Sequence, residues 1–160
     1  MNIRIVTVAM VLVALVAGCS SSGTNYAAVN MVNSKFDESK FPYRLKLKKQ
    51  SEDFVIYSMQ AAGDSGETIA KSSALLLKDI HKEIELKCGF KPNDLIDTRI
   101  VSYESPEFYE VWVYHNEESP MPDKRTALSV VLVAYPDGGG TDIHLHGNCN
   151  PVPRDFSFPI

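Results

Sequence analysis

The chain has 160 residues, with 16 Lys and Arg against 20 Asp and Glu, a formal net charge of −4, and 44% hydrophobic residues. That length is enough for one domain with a real core. The acidic balance argues against a nucleic-acid partner and against electrostatic adsorption to an anionic membrane.

The chain opens MNIRIVTVAMVLVALVAGCSSSG. Arg4 and the free amine precede an uncharged, largely apolar run from Ile5 to Ala17. A membrane-spanning helix needs about 20 apolar residues, so this run is too short to span and has the length of a secretory signal instead. It closes on Val16-Ala17-Gly18-Cys19, which resembles the lipobox of bacterial lipoproteins. The resemblance implies removal of residues 1–18, a diacylglycerol on the Cys19 sulfur and an acyl chain such as palmitate on its new amine. Membrane attachment would then come from the acyl chains, at about 0.8 kcal/mol per buried methylene. Ser20 rather than Asp follows Cys19, which by the same resemblance implies the outer membrane, facing the periplasm. In a bacterium with one membrane the expected location is the cell membrane.

Loss of residues 1–18 takes Arg4 with it and leaves an acidic chain of 142 residues. With Cys19 lipidated, Cys88 and Cys149 remain, and an exported protein is expected to join them in a disulfide. Residues 19–40 read as a lipidated N-terminus and flexible tether, small and polar at Ser20 to Asn25 and with at most one helical turn after it. A single domain is expected over residues 41–160.

Within it, Arg44-Leu45-Lys46-Leu47-Lys48 alternates charged and apolar side chains, as a half-buried strand does. Asp53 to Gln60 is a second strand, rich in β-branched and aromatic residues. A helix is expected over about 65–88. Asp64 would cap it and Glu67 reach back, and Ile69, Ser73, Leu76, Leu77, Ile80, Ile84 and Cys88 define one face. Gly89 stands where a left-handed cap belongs, and Pro92 prevents continuation. Four more strands follow: Leu95–Tyr103, Phe108–His115, Ala127–Tyr135 and Thr141–Gly147. Their short links favour antiparallel pairing. The fold class is therefore α+β, an antiparallel sheet of about six strands in the order β-β-α-β-β-β-β, one long helix packed on it, and one disulfide as a staple.

Three stretches are candidate sites. Asp142, His144 and His146 share one face of a strand, and imidazoles two apart can converge on zinc or copper, with His115 as a further ligand. The plain reading of the same letters is a solvated strand face opposite Ile143 and Leu145. Phe108, Trp112 and Tyr114 share a face as well. Exposed, they would make an aromatic platform for a partner; turned inward, they fill the core. Arg44, Lys46 and Lys48 form a basic stripe, either a partner surface or a guard on an edge strand. The glycine-rich Pro136–Gly140 lacks the lysine and the following helix of a phosphate loop and reads as a hairpin connection. No nucleophile elbow or helical zinc motif is present in the sequence. The expected function is that of a non-catalytic, lipid-anchored envelope protein that binds another envelope protein, in an assembly, secretion or inhibitory role. The alternatives are a periplasmic metal-binding protein and one that binds or acts on cell-wall glycan.

Overall fold

In a computed structural model of the protein, residues 21–160 are described, with side chains from Tyr26 onward; the signal segment, the lipobox and Cys19 lie outside the described residues. The first helix, α1, runs Ser21–Glu38, so the segment expected to be a tether with one turn is largely helical. Its apolar stripe is narrow, only Val29, Val32 and Phe36 at spacings of three and four, and it packs on Tyr43 and Leu45. Helical stability here comes from tertiary packing of that stripe rather than from propensity.

Strand β1 (Tyr43–Gln50) pairs antiparallel with β2 (Phe54–Ala61), and β2 pairs on its other side with a strand near the C-terminus, Asp155–Pro159. These make a three-stranded sheet. The outer edge of β1 is covered by Asn33, whose side chain accepts from the Leu45 amide at 2.8 Å and donates to the Leu45 carbonyl at 3.1 Å. An amide side chain thus stands in for a neighbouring strand and blunts an edge that would otherwise template association.

The rest of the chain builds a second sheet. Its strands are β3 (Asp64–Ser65), β4 (Leu95–Glu104), β5 (Glu107–His115), β6 (Arg125–Ala134) and β7 (Thr141–His146), antiparallel and in that spatial order; the C-terminal strand of the first sheet is β8. The expected single six-stranded sheet is therefore two sheets of three and five strands. The expected hairpin at Glu104–Glu107 joins β4 to β5, and β6 lies between β5 and β7, buried on both faces as its apolar run suggested.

The helix expected over about 65–88 is shorter. Helix α2 runs Ala74–Cys88 behind a 3-10 turn at Ile69–Ser72, and Ser73, not Asp64, caps it by accepting from the Leu76 amide. The reason lies upstream. Asp64 and Ser65 pair with Ile100 and Arg99 of β4, the Gly66 amide donates to Thr98, and the Ile69 amide is held by the Glu110 carboxylate. The sheet edge and a buried acid draw this segment out of the helix. Gly89 ends α2 with φ +76°, as its position suggested.

The five-stranded sheet is the middle layer. On one face Ile80 and Ile84 of α2 meet Trp112, Tyr114, Leu128, Val130 and Leu132. On the other, Tyr109, Val111, Val113, Ala127 and Val131 meet Tyr43, Leu45 and Met59 of the first sheet and Val29 of α1. Cys88, at the end of α2, is bonded to Cys149, just past β7, with Cα atoms 5.4 Å apart. Closing a loop of 61 residues is worth about 4 kcal/mol in the chain-entropy picture.

Candidate functional site

The two sheets do not close against each other along their whole length. Beside the start of β1, a cleft of about 300 Å³ opens between them. Its floor is a cross-strand row, Asp97, Val113 and Ala127 on β4, β5 and β6. The opposite wall is Tyr43, Lys46, Met59 and Gln60, and the loop before β6 adds Met121 and Asp123. A second hollow of about 530 Å³ shares Met59, Met121 and Asp123 with the first and continues past Lys48, Pro153, Arg154 and Asp155. Together they form one groove with an apolar centre of two methionines and charged flanks.

The charges in this groove fall into two groups. Arg99 is fully occupied: it bonds Asp97 at 3.0 Å and donates to the carbonyls of Ala62 and Gly63, while Asp97 also accepts from Ser65. This knot ties β3 to β4 and is part of the wall. Lys48 pairs with Asp155 at 2.6 Å. By contrast, Lys46 and Arg154 make no ion pair among the described residues, and Arg125 stands 3.8 Å from Asp123 in a loose, solvated pair. Tyr43 is only 3% exposed. Its hydroxyl oxygen accepts from the Ala127 amide at 2.9 Å. Burial, opposed by that amide and assisted by Asp123, pushes its pKa up to about 12.

The basic stripe is thus divided. Arg44 turns inward, pairs with Asp37 and donates to the carbonyls of Phe41 and Tyr43, so it is a strut rather than a contact residue. Lys46 lines both the groove and a separate hollow beside α1, and Lys48 lines the far end of the groove.

The aromatic platform is buried. Trp112 and Tyr114 are 0% exposed beneath α2, because an amphipathic helix must cover one sheet face and these side chains are on it. Phe108 is half-buried with its ring against Tyr103. Trp112 and Tyr114 are thereby removed as an exposed partner surface, and Phe108 keeps only a partly open edge beside Leu132 and Ile143. Between Phe108 and Trp112 lies Glu110, a fully buried acid whose partners are three uncharged donors: the Ile69 amide at 2.8 Å, the Tyr103 hydroxyl at 2.6 Å and the Trp112 indole N–H at 2.8 Å. Burial, and the bond to Glu110, raise the Tyr103 pKa. The Tyr114 hydroxyl is buried without a partner among the described residues, its ring is stacked on Phe90, and burial raises its pKa too.

Asp142, His144 and His146 do share the outward face of β7, but the further ligands do not join them. Asp142 accepts from Tyr135 at 2.6 Å, and His115, at the far end of β5, contacts Glu117 at 2.9 Å. The register sets His115 opposite Arg125 and His146 opposite Ser129, four positions along β6. Among the described residues no three His, Cys, Asp or Glu side chains are arranged to hold a metal ion. His146 is held below the usual histidine pKa, first by burial and then by Lys87, His144 and Lys40. Among the described residues no helix is long and apolar enough to cross a membrane.

The groove residues come from six separated segments, which is why no motif announced them. The one legible sign was a charge pattern on β1 alternating with buried Tyr43 and Leu45. Comparison with protein-family models, with curated proteins and with solved structures finds no match.

Proposed function

We propose that this protein is a non-catalytic, lipid-anchored component of the bacterial envelope that binds another envelope protein in the groove between its two sheets. The anchor rests on the lipobox-like Val16–Cys19 at the close of a signal-like segment. The observation that carries the binding role is the groove itself. It is a preformed concavity with Met59 and Met121 at its centre, and Lys46, Arg125 and Arg154 on its flanks without tight ion pairs. Methionine is soft and adaptable, here at the bottom of the groove with each of the two 8% exposed, and cations without a tight ion pair favour an acidic or carboxylate-bearing partner. A lipid anchor would confine protein and partner to one plane and raise their effective concentration.

The reading is tested by mild cross-linking of cells that make the full-length protein, followed by purification and identification of what is attached. One envelope protein in constant ratio, lost in Lys46→Glu, is the expected result. Recovery of the lipoprotein alone, under conditions that preserve other envelope complexes, would refute it.

A further inference from the structure

We propose that the cleft bounded by Tyr43, Lys46, Asp123 and Arg125 is a seat for a free α-carboxylate, the C-terminal end of the partner's peptide chain. This rests on the reading of the groove as the partner's seat and names the chemistry recognised there.

The donors left over in the cleft set the charge of the ligand. Arg99 and Asp97 satisfy each other. What remains is the Lys46 ammonium, the Arg125 guanidinium held 3.8 Å from Asp123, the Tyr43 hydroxyl and the uncharged Gln60 amide. Because the Tyr43 oxygen already accepts from the Ala127 amide, its own proton is left to donate, and no described residue accepts it. A phenol with its pKa pushed up to about 12 stays protonated, hence a donor, throughout the pH range of an envelope. Two cations and one buried O–H against the single carboxylate of Asp123 leave a surplus of one positive charge. A monoanion fits. A phosphate dianion is disfavoured, because it exceeds that surplus and would stand beside the Asp123 carboxylate.

Asp123 also explains why the carboxylate belongs to a peptide. Its Oδ1 already accepts from the Arg125 amide at 3.2 Å, and the acceptor capacity left on the carboxylate suits the N–H that the terminal residue of a peptide brings and a simple acid lacks. Val113, Ala127 and Met59 supply an apolar floor for that residue's side chain. A volume of about 300 Å³ stands at the low end for ligand sites and admits a chain end rather than a whole segment. The preceding residues leave along the second hollow, past Met121 and Pro122. Capture of a chain terminus in a polar socket is a recurring mode of peptide recognition.

The test uses the full-length protein in detergent, titrated with N-acetyl-L-alanyl-L-alanine and with its C-terminal amide, and followed by NMR shifts of the Ala127 and Lys46 amides. The free acid is expected to give saturable shifts at both positions, and the amide to bind about tenfold more weakly, as loss of a charge-assisted hydrogen bond implies. Lys46→Gln and Arg125→Gln, both at exposed side chains, should each weaken the acid severalfold, while Lys82→Gln on the outer face of α2 should not. Equal binding of acid and amide, or no shift with either, overturns the proposal. So does tighter binding of the D,D stereoisomer, which would assign the cleft to a cell-wall peptide. If the cross-linked partner persists in the Lys46→Gln/Arg125→Gln variant and the acid does not bind, the carboxylate seat fails and the protein-binding reading stands. If the acid binds and no protein is recovered, the reverse holds.

Discussion

Replacement of Glu110 by Gln is a sharp probe of the core, because the acid is 0% exposed and each partner has a different fallback. Oε1 accepts from the Ile69 amide and from Tyr103, and Oε2 accepts from the Trp112 indole. With Gln oriented to keep the first two bonds, its NH2 faces the indole N–H, donor against donor. With the amide flipped, the indole is satisfied, and Ile69 and Tyr103 lose their acceptor. Those two have alternatives: the Ile69 amide lies 3.1 Å from the Tyr103 oxygen, and the Tyr103 hydroxyl lies 3.3 Å from the Glu67 carbonyl. The indole has no other partner among the described residues. In either orientation about one buried donor is stranded, a cost of about 1–3 kcal/mol. Trp112 is the single tryptophan, so its fluorescence during urea denaturation reads this site directly. Glu110→Gln should lower the midpoint with little change in slope. Glu110→Leu with Trp112→Phe removes the acid and the indole donor together, and should cost less than the two single changes summed. A Glu110→Gln variant within about 0.5 kcal/mol of the parent would show that the carboxylate does not hold this network.

Three further outcomes follow from the same structure. Cys88→Ser with Cys149→Ser should destabilise the protein by up to about 4 kcal/mol, measured as a loss in urea midpoint, since the bridge closes a 61-residue loop. His81, edge-on to Trp112 at 5.2 Å, and His146 are both held below the ordinary histidine pKa, chiefly by burial. Below about pH 6.5 the unfolded chain takes up protons there that the folded chain resists, so stability should fall as pH falls through that value toward the folded pKa values. NMR titration should place both imidazoles below a free histidine, and His81→Asn should flatten the slope. Asn33→Leu should expose the β1 edge at Leu45, costing about 1–2 kcal/mol and raising the rate of aggregation in light scattering.

The parts of the fold that were legible are those written in local pattern. Alternation marked β1, β-branched runs marked β2 and β4–β7, and Gly89 marked the end of α2. The pair Cys88 and Cys149 followed from setting Cys19 aside. The parts that were not legible depend on distant partners. Helix α1 is carried by three apolar residues among Asn, Ser and Thr, and only their contact with Tyr43 and Leu45 makes it worth forming. Strand β8 is a short Phe156-Ser157-Phe158 alternation behind Pro151 and Pro153, and it becomes a strand because β2 offers it an edge. The break before Ser73 follows from the hold of Glu110 on Ile69, a contact 41 positions apart. Glu110 itself left a faint trace, an acid two positions before the only tryptophan and on the same strand face. The groove left less, since Tyr43, Asp97, Asp123 and Arg125 meet only when β1 crosses the second sheet.

The role of the groove is tested most directly by placing a photo-reactive amino acid at Gln60, which lines the cleft, and at Leu86, which is 71% exposed on α2, in the full-length protein in cells. Irradiation should yield a single discrete adduct from position 60 and none from position 86, and Arg125→Gln should diminish it. An adduct from position 86 alone would move the partner to the helical face and contradict a binding seat between the sheets.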